Sequence, residues 1–298
     1  MIIITHPDCT GYGEVGHPER PERITSSVDY LKEISEDYLK IEWRQPDLKY
    51  DASENPENIE PLVTRAHSHY HLVRIEEGLD FDADTPAYPD IDQHALRSVA
   101  AAVTGLDLVH KGEQVFVLMR PPGHHATRDR AMGFCYLNQV AIAALEARAR
   151  GVERVAVLDF DVHHGNGTEA ILKGKEGCLF VSIHQYPCYP GTGTKSFDNC
   201  LNYPVLPLTE AGEYLAVIKK AVAEIQKWRP DLLIVSAGFD AFKDDHIADQ
   251  LLDAADFMQI GRMVAELQVP HLDVLEGGYS DQLPELVYQY LRGVTDPG

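Results

Sequence analysis

Apolar positions along this chain recur with two different periods. Short runs rich in Val, Ile and Leu predict strands over residues 2–5, 115–119, 155–160, 179–183, 232–236 and 272–275. Longer amphipathic stretches predict helices over 23–34, 93–110, 137–150, 212–228, 253–267 and 283–291. Within 212–228, Leu215, Ile218, Val222 and Ile225 fall at helical spacing. Strands alternating with long helices imply βαβ crossovers, hence an α/β fold with a mostly parallel sheet sandwiched between helices. Residues 11–23 and 185–207 carry Gly and Pro without a period, and long irregular segments in a compact fold tend to be functional. No repeat, low-complexity tract or linker interrupts the pattern, so residues 1–298 read as a single domain.

Polar residues break the apolar pattern where predicted strands end. In LDFDVHHGNG (158–167), Asp159, Asp161 and His163 recur at every second residue after an apolar run. That is the period of an extended strand and predicts a shared face. RPPGHHA follows the strand over 115–119 and carries His124 and His125; AGFDA follows 232–236 and carries Asp240; EGGY follows 272–275 and carries Tyr279. If the strands are parallel, all four loops open on one sheet edge, where α/β folds build their sites.

Asp161, His163 and Asp240 would make a three-ligand metal site that leaves positions open for water and substrate. Zinc suits this set, and its oxygen-rich ligation also suits Fe²⁺ or Mn²⁺. Beside a metal, one imidazole of the His124–His125 pair can take a proton from water and return it to a leaving amine. Each imidazole needs an orienting partner, and Asp159 and Asn166 are the candidates. Gly277 and Gly278 allow a loop that turns the Tyr279 phenol inward, where it could donate to a developing oxyanion. Each feature alone has a plainer explanation: an Asp–His hydrogen bond, a capping aspartate, a surface histidine pair, a turn with a packed tyrosine. Their joint occurrence after four strands argues for a site.

The formal charge of −21 disfavours nucleic acid, whose phosphates it repels, and would favour cationic substrates, although acidity also simply keeps a protein soluble. Cys9, Cys135, Cys178, Cys188 and Cys200 are odd in number and contain no CxxC pair. They argue against a disulfide framework and for a reducing, cytoplasmic location. The N-terminus lacks the basic region of a signal peptide, and no apolar run approaches the ~18 residues of a membrane span.

RPPGHHA, GFCYLN (133–138), LDFDVHHGNGT, YPGTG (189–193), AGFDA and LEGGY, together with HPERPER (17–23), resemble the zinc-dependent histone deacetylase family. Order and spacing match across essentially the whole chain. Similarity is greatest to the class II branch, with its bacterial histone-deacetylase-like amidohydrolases and acetylpolyamine amidohydrolases; Asn166 stands where class I members carry aspartate.

The resemblance implies the arginase–deacetylase fold, with a mostly parallel sheet of about eight strands. It implies Zn²⁺ on Asp161, His163 and Asp240, with Fe²⁺ as an alternative in the cell. His125, hydrogen-bonded to Asn166, would be the general base and acid; His124, paired with Asp159, its electrostatic partner; Tyr279 the carbonyl-polarising phenol. Phe134 and Tyr189 would wall an acyl-lysine tunnel with Gly133 and Gly277, and Asp84 would hold the substrate backbone. A structural K⁺ would be bound by Asp159, Asp161, His163, Ser182 and Ile183, mostly through carbonyls.

The expected activity is removal of acetyl or a related acyl group from a lysine-like amine. An acetylated lysine peptide leads as substrate, and a small acetylated amine or acetylpolyamine is the alternative. The loop AFKDDHIAD has His246 and Ile247 where polyamine-selective relatives carry a glutamate; such relatives can also restrict their sites by oligomerisation, so a homo-oligomer stays open. A binuclear manganese ureohydrolase would want an aspartate where His164 and Asn166 stand, and a second acid in AGFDA. A catalytically silent acyl-binding module would not need the complete set of candidate groups that is present.

Overall fold

The computed structural model describes residues 1–78, 81 and 83–296, without the side chains of 35–38. The last two residues of the expected 1–298 domain therefore lie outside the described residues. The strands are β1 (Ile2–Ile4), β2 (Glu42–Arg44), β3 (Val115–Val117), β4 (Val155–Asp159), β5 (Cys178–Gln185), β6 (Cys200–Val205), β7 (Leu232–Ala237) and β8 (His271–Leu275). They form one eight-stranded sheet in the order β2-β1-β3-β8-β7-β4-β5-β6. Every neighbouring pair is parallel.

The helices are α1 (Glu22–Tyr38), α2 (Pro56–Ala66), α3 (His69–Glu76), α4 (Ile91–Val109), α5 (Gln139–Ala149), α6 (Asn166–Leu172), α7 (Ala211–Trp228), α8 (Ala254–Glu266) and α9 (Leu283–Thr295). They cover both faces of the sheet. On β3, Val115 and Val117 lie against Gly105 of α4, whereas Phe116 points to Tyr290 of α9, with ring centroids 6.3 Å apart. Because alternate strand residues face opposite ways, α4 with α5 and α9 with α8 sit on opposite faces. Burial on both faces is why β4 and β7 read as near-continuous apolar runs instead of alternating ones.

The structure departs from the sequence pattern at several elements. β4 stops at Asp159, one residue before the expected end, so Asp161 and His163 lie in the loop beyond it as expected, but the strand period does not extend over them to give a shared face. β2 escaped the pattern because it is a three-residue edge strand with no buried residue, and β6 because its edge position leaves only three of its six residues buried, one of them Asn202. β6 lies inside the stretch 185–207 read as irregular. The short helices α2, α3 and α6 were also missed; α6 opens on Asn166–Gly167, residues more typical of a turn.

The other irregular stretch, 11–23, is organised by charge. Fully buried Arg120, in the loop that follows β3, pairs through its Nε with Glu19 Oε1 and through Nη2 with Oε2 at 2.8 Å. It also donates to the Cys9 carbonyl at 3.0 Å. Tyr12 Oη donates to Glu19 at 3.1 Å, and Arg23 reaches the same carboxylate at 3.3 Å. Burial opposes charge on Glu19, but Arg120 and Arg23 outweigh it and hold the carboxyl below its ordinary value.

Glu19→Gln leaves a buried guanidinium uncompensated, and the expected loss of stability is roughly 3–5 kcal/mol in denaturant titration. Because the folded value is depressed, Glu19 contributes stability above the unfolded carboxylate range and loses it as pH falls through the folded value. The wild-type protein should therefore lose more melting temperature on acidification than Glu19→Gln. Among the described residues, no helix is long and apolar enough to cross a membrane.

Candidate active site

The four loops singled out by their polar residues follow β3, β8, β7 and β4, which are consecutive neighbours in the sheet. Parallel pairing brings their carboxyl ends to one edge, and the candidate side chains meet there. One donor atom from each of Asp161, His163 and Asp240 lies within 4.8 Å of the others, and all three residues are buried. His163 Nδ1 is 3.2 Å from Asp161 Oδ1 and 3.0 Å from Asp240 Oδ2.

Backbone amides fix the carboxylates: Val162 N–H donates to Asp240 at 2.8 Å, and His163 and Gly277 N–H donate to Asp161 at 2.9 and 2.7 Å. A Cβ on Gly277 would overlap the carboxylates of both Asp161 and Asp240, so this position has to be glycine. Gly277 is not on the cavity wall where the tunnel expectation put it; it lies against the donor set.

Burial opposes charge throughout the cluster. Asp240 is pushed up to about 7 by burial and by neighbouring Asp161. Burial likewise opposes His163 protonation, yet Asp161 and Asp240 hold that imidazole well above its ordinary value. Two buried carboxylates converging on one imidazole nitrogen make a donor set that a divalent cation fits, because the cation replaces protons as the compensating charge.

The adjacent histidines are driven apart. Asp159 Oδ2 lies 3.0 Å from His124 Nδ1, and Asn166 Oδ1 lies 2.8 Å from His125 Nδ1. Burial disfavours charge on His124, but Asp161 and Asp159 outweigh it and push the imidazole up to about 10. His125 is lowered well below its ordinary value by burial and by the positive neighbours His124 and His163. One ring is thus a cation and the other a neutral base, with centroids 4.0 Å apart. Since Asn166 Oδ1 accepts the Nδ1 proton, the basic lone pair of His125 is on Nε2.

A cavity of about 280 Å³ leads from the surface to His125, His163 and Tyr279. Gly133, Phe134 and Tyr189 wall it, and Asp84 sits exposed on its rim. The Tyr189 ring packs edge-on to His125 at 5.1 Å, and Phe134 to Tyr279 at 5.6 Å.

Phe134 has φ +68°, an uncommon backbone for an aromatic residue, and its N–H is held by Thr85 Oγ1 at 3.1 Å. Gly133 has φ +56°, and a Cβ there would come within 2.5 Å of the His125 ring and 2.9 Å of Tyr189. Gly133→Ala should therefore lower turnover by at least ~10-fold by displacing His125, with a smaller change in melting temperature. Steady-state kinetics alongside thermal melts check this.

Ser182 and Ile183 lie on β5 beside the end of β4, with Ser182 in register with Asp159. Asp159, Asp161, His163, Ser182 and Ile183 are all buried at this corner of the sheet.

His17, Pro18 and Ile247 complete the cavity lining; the sequence singled out Ile247 as the place where polyamine-selective relatives carry a glutamate, but gave His17 and Pro18 no role of their own within HPERPER. The aperiodic Gly/Pro stretch over 11–23 was the available signal for both. Sequence reasoning also gave no role to buried Glu276, whose Oε2 accepts the N–H groups of Gly123 and His124 at 2.7 and 3.1 Å and so ties the histidine loop to β8.

A parallel eight-stranded α/β fold with this edge site is the architecture of the deacetylase-type amidohydrolases. A profile of the histone deacetylase domain matches residues 17–294, and the chain belongs to that family. A Synechocystis protein of uncharacterised function is 41% identical over 91% of this chain and 90% of its own length. Acetylpolyamine amidohydrolase 2 of Pseudomonas aeruginosa is 34% identical over 94% of this chain and 84% of its own. The crystal structure of an acetylpolyamine aminohydrolase from Burkholderia pseudomallei superimposes with a TM-score of 0.88 at 27% identity, covering 99% of each chain. The protein is an enzyme of the deacetylase and amidohydrolase class, in a family where zinc dependence is typical.

Proposed function

We propose that the protein removes acetyl groups from acetylated primary amines by metal-assisted hydrolysis. The observation that carries this reading is the cavity of about 280 Å³ ending on a neutral histidine, a buried tyrosine and a three-donor cluster. A divalent cation held by Asp161, His163 and Asp240, zinc in the first place and Fe²⁺ as the alternative, would polarise the acyl carbonyl and acidify water.

His125 Nε2 takes the proton of the attacking water, and the Asn166 contact keeps the imidazole in the tautomer that can do so. The His124 imidazolium, fixed by Asp159, stabilises negative charge developing beside it. The Tyr279 hydroxyl donates to the carbonyl oxygen as it becomes an oxyanion. The protonated His125 then gives its proton to the departing amine as the C–N bond breaks.

Phe134 and Tyr189 flank the acyl-bearing chain, Gly133 leaves room for it beside His125, and Asp84 stands at the rim to meet the substrate's polar end. At the mouth, a wider groove of about 760 Å³ shares His17, Pro18 and Tyr279 with the cavity and is lined by Glu14 and Glu22 and by Asp281, which pairs with Arg20 of the same groove. With Asp281 neutralised by Arg20, Glu14 and Glu22 leave the groove net acidic, which suits the cationic remainder of an acetylated lysine peptide or of a small acetylated polyamine.

The corner formed by Asp159, Asp161, His163, Ser182 and Ile183 would hold a structural K⁺. Residues 1–298 act as one catalytic domain, in the cytoplasm, with no nucleic-acid partner, given the charge of −21 and five free thiols.

Hydrolysis of an Nε-acetyl-lysine peptide and of N-acetylputrescine by the zinc-loaded enzyme, measured in parallel, tests the reading. Higher kcat/KM for the peptide marks a protein deacetylase, and the reverse marks a small-amine amidohydrolase. Hydrolysis of neither, nor of longer acyl homologues, overturns it.

A further inference from the structure

The reaction above leaves one buried carboxylate of this region unused. Asp245 lies on the same loop as Asp240, outside the donor set and the histidine pair, and is 7% exposed. Its Oδ2 accepts the backbone N–H of Tyr279 at 2.7 Å and that of Ser280 at 3.1 Å. Its Oδ1 accepts the N–H of Ile247 at 3.2 Å, and Ile247 lines the cavity together with Tyr279.

Arg23 grips the same loop by its carbonyls. Its Nε donates to Gly278 O at 2.7 Å, its Nη2 donates to Glu276 O, and its guanidinium lies 4.7 Å from the Tyr279 ring centroid. The run 276–280 is therefore held by a cation at its carbonyls and by an anion at its amides. Between them Gly278 has φ +116°, a conformation that residues with a side chain rarely adopt.

Among the described residues, no hydrogen bond to protein holds the Tyr279 hydroxyl; its place comes from ring packing and from the backbone that carries it. A carboxylate is suited to this grip because both of its oxygens accept. An asparagine would turn its NH₂ towards either the Ile247 amide or the Tyr279 and Ser280 amides.

We propose that Asp245 is a positioning residue for deacetylation: it sets the place of the Tyr279 phenol through the Tyr279 and Ser280 amides, and through Ile247 it couples that place to the cavity mouth. This rests on Tyr279 being the group that polarises the acyl carbonyl.

The test is a double-mutant cycle on the metal-loaded enzyme with Asp245→Asn, Tyr279→Phe and the pair, reading kcat and KM separately. Displacing the phenol by a fraction of an ångström should lower kcat by ~10–100-fold, with KM changing far less. In the Tyr279→Phe background, Asp245→Asn should cause almost no further loss, because no phenol remains to be placed. The same fold-loss in both backgrounds would show a general structural role and overturn the proposal, as would unchanged kcat in Asp245→Asn alone. Normal turnover in Tyr279→Phe would instead overturn the reading of the reaction itself.

If Asp245→Asn does not fold, amide exchange in the unsubstituted protein decides. Tyr279 and Ser280 amides protected like those of β8 support the grip, and exchange at the rate of an open loop overturns it.

Discussion

Asp240→Ala and His163→Ala are expected to reduce bound metal to near zero and turnover to background. Each substitution removes one donor from a set of three, and the two that remain cannot enclose a cation against water. The loss should be visible in metal stoichiometry without any assay of activity. A variant that retained the wild-type metal content would remove its residue from the ligand set.

Stability supplies a second readout. A ligand that binds only the folded state stabilises it by about 2.7 kcal/mol at a hundredfold excess over its dissociation constant. Chelation should therefore lower the melting temperature of the wild type and leave Asp240→Ala unmoved. The sign of the pH dependence also follows. Burial and Asp161 raise the Asp240 carboxyl to about 7 in the metal-free fold, so its proton must leave before a cation can bind. Without metal, this raised value makes the fold less stable as pH rises from the unfolded carboxylate range towards neutrality. The gain in melting temperature on adding metal should accordingly grow from mildly acidic to neutral pH.

Tyr279→Phe is expected to lower turnover by roughly 10²–10³-fold, the usual effect of removing one oxyanion donor. Substrate affinity should change much less, because the hydroxyl matters most once the carbonyl oxygen carries charge. The phenol is suited to donate rather than ionise: burial raises its pKa well above the ordinary value, and Asp161 and Asp240 add to this against the pull of Arg23. The phenylalanine ring can keep the packing against Phe134 and Arg23, so a loss of activity would not stem from unfolding. Near-normal kcat in Tyr279→Phe, at unchanged metal content, would take the residue out of the reaction.

Much of the architecture was legible because both faces of the sheet are covered. A strand buried on two sides has to be a short apolar run, and six strands declared themselves in that way. Edge strands lack this signature: β2 has no buried residue, and β6 contains Pro204, which is tolerated there because an edge can spare a backbone donor. The site was legible for a related reason. Polar residues placed directly after apolar strands must emerge at the sheet edge, and parallel pairing sends them all to the same one.

Six of the eight strands, the long helices, the parallel arrangement and the identity of the groups at the edge are written in the sequence, because periodicity and strand polarity are local properties. Contacts between distant segments were decided only by the tertiary structure. Nothing local predicts that Glu19 meets Arg120, 101 residues away, or that Asp245 meets the amides of Tyr279 and Ser280. The histidine pair shows the division most sharply. His124 and His125 are identical neighbours in sequence, and a single residue type can serve as cation or as neutral base. The fold places His124 against Asp159 and Asp161, and His125 against neutral Asn166, so the opposite protonation of the two rings follows from their surroundings in space and not from their order in the chain.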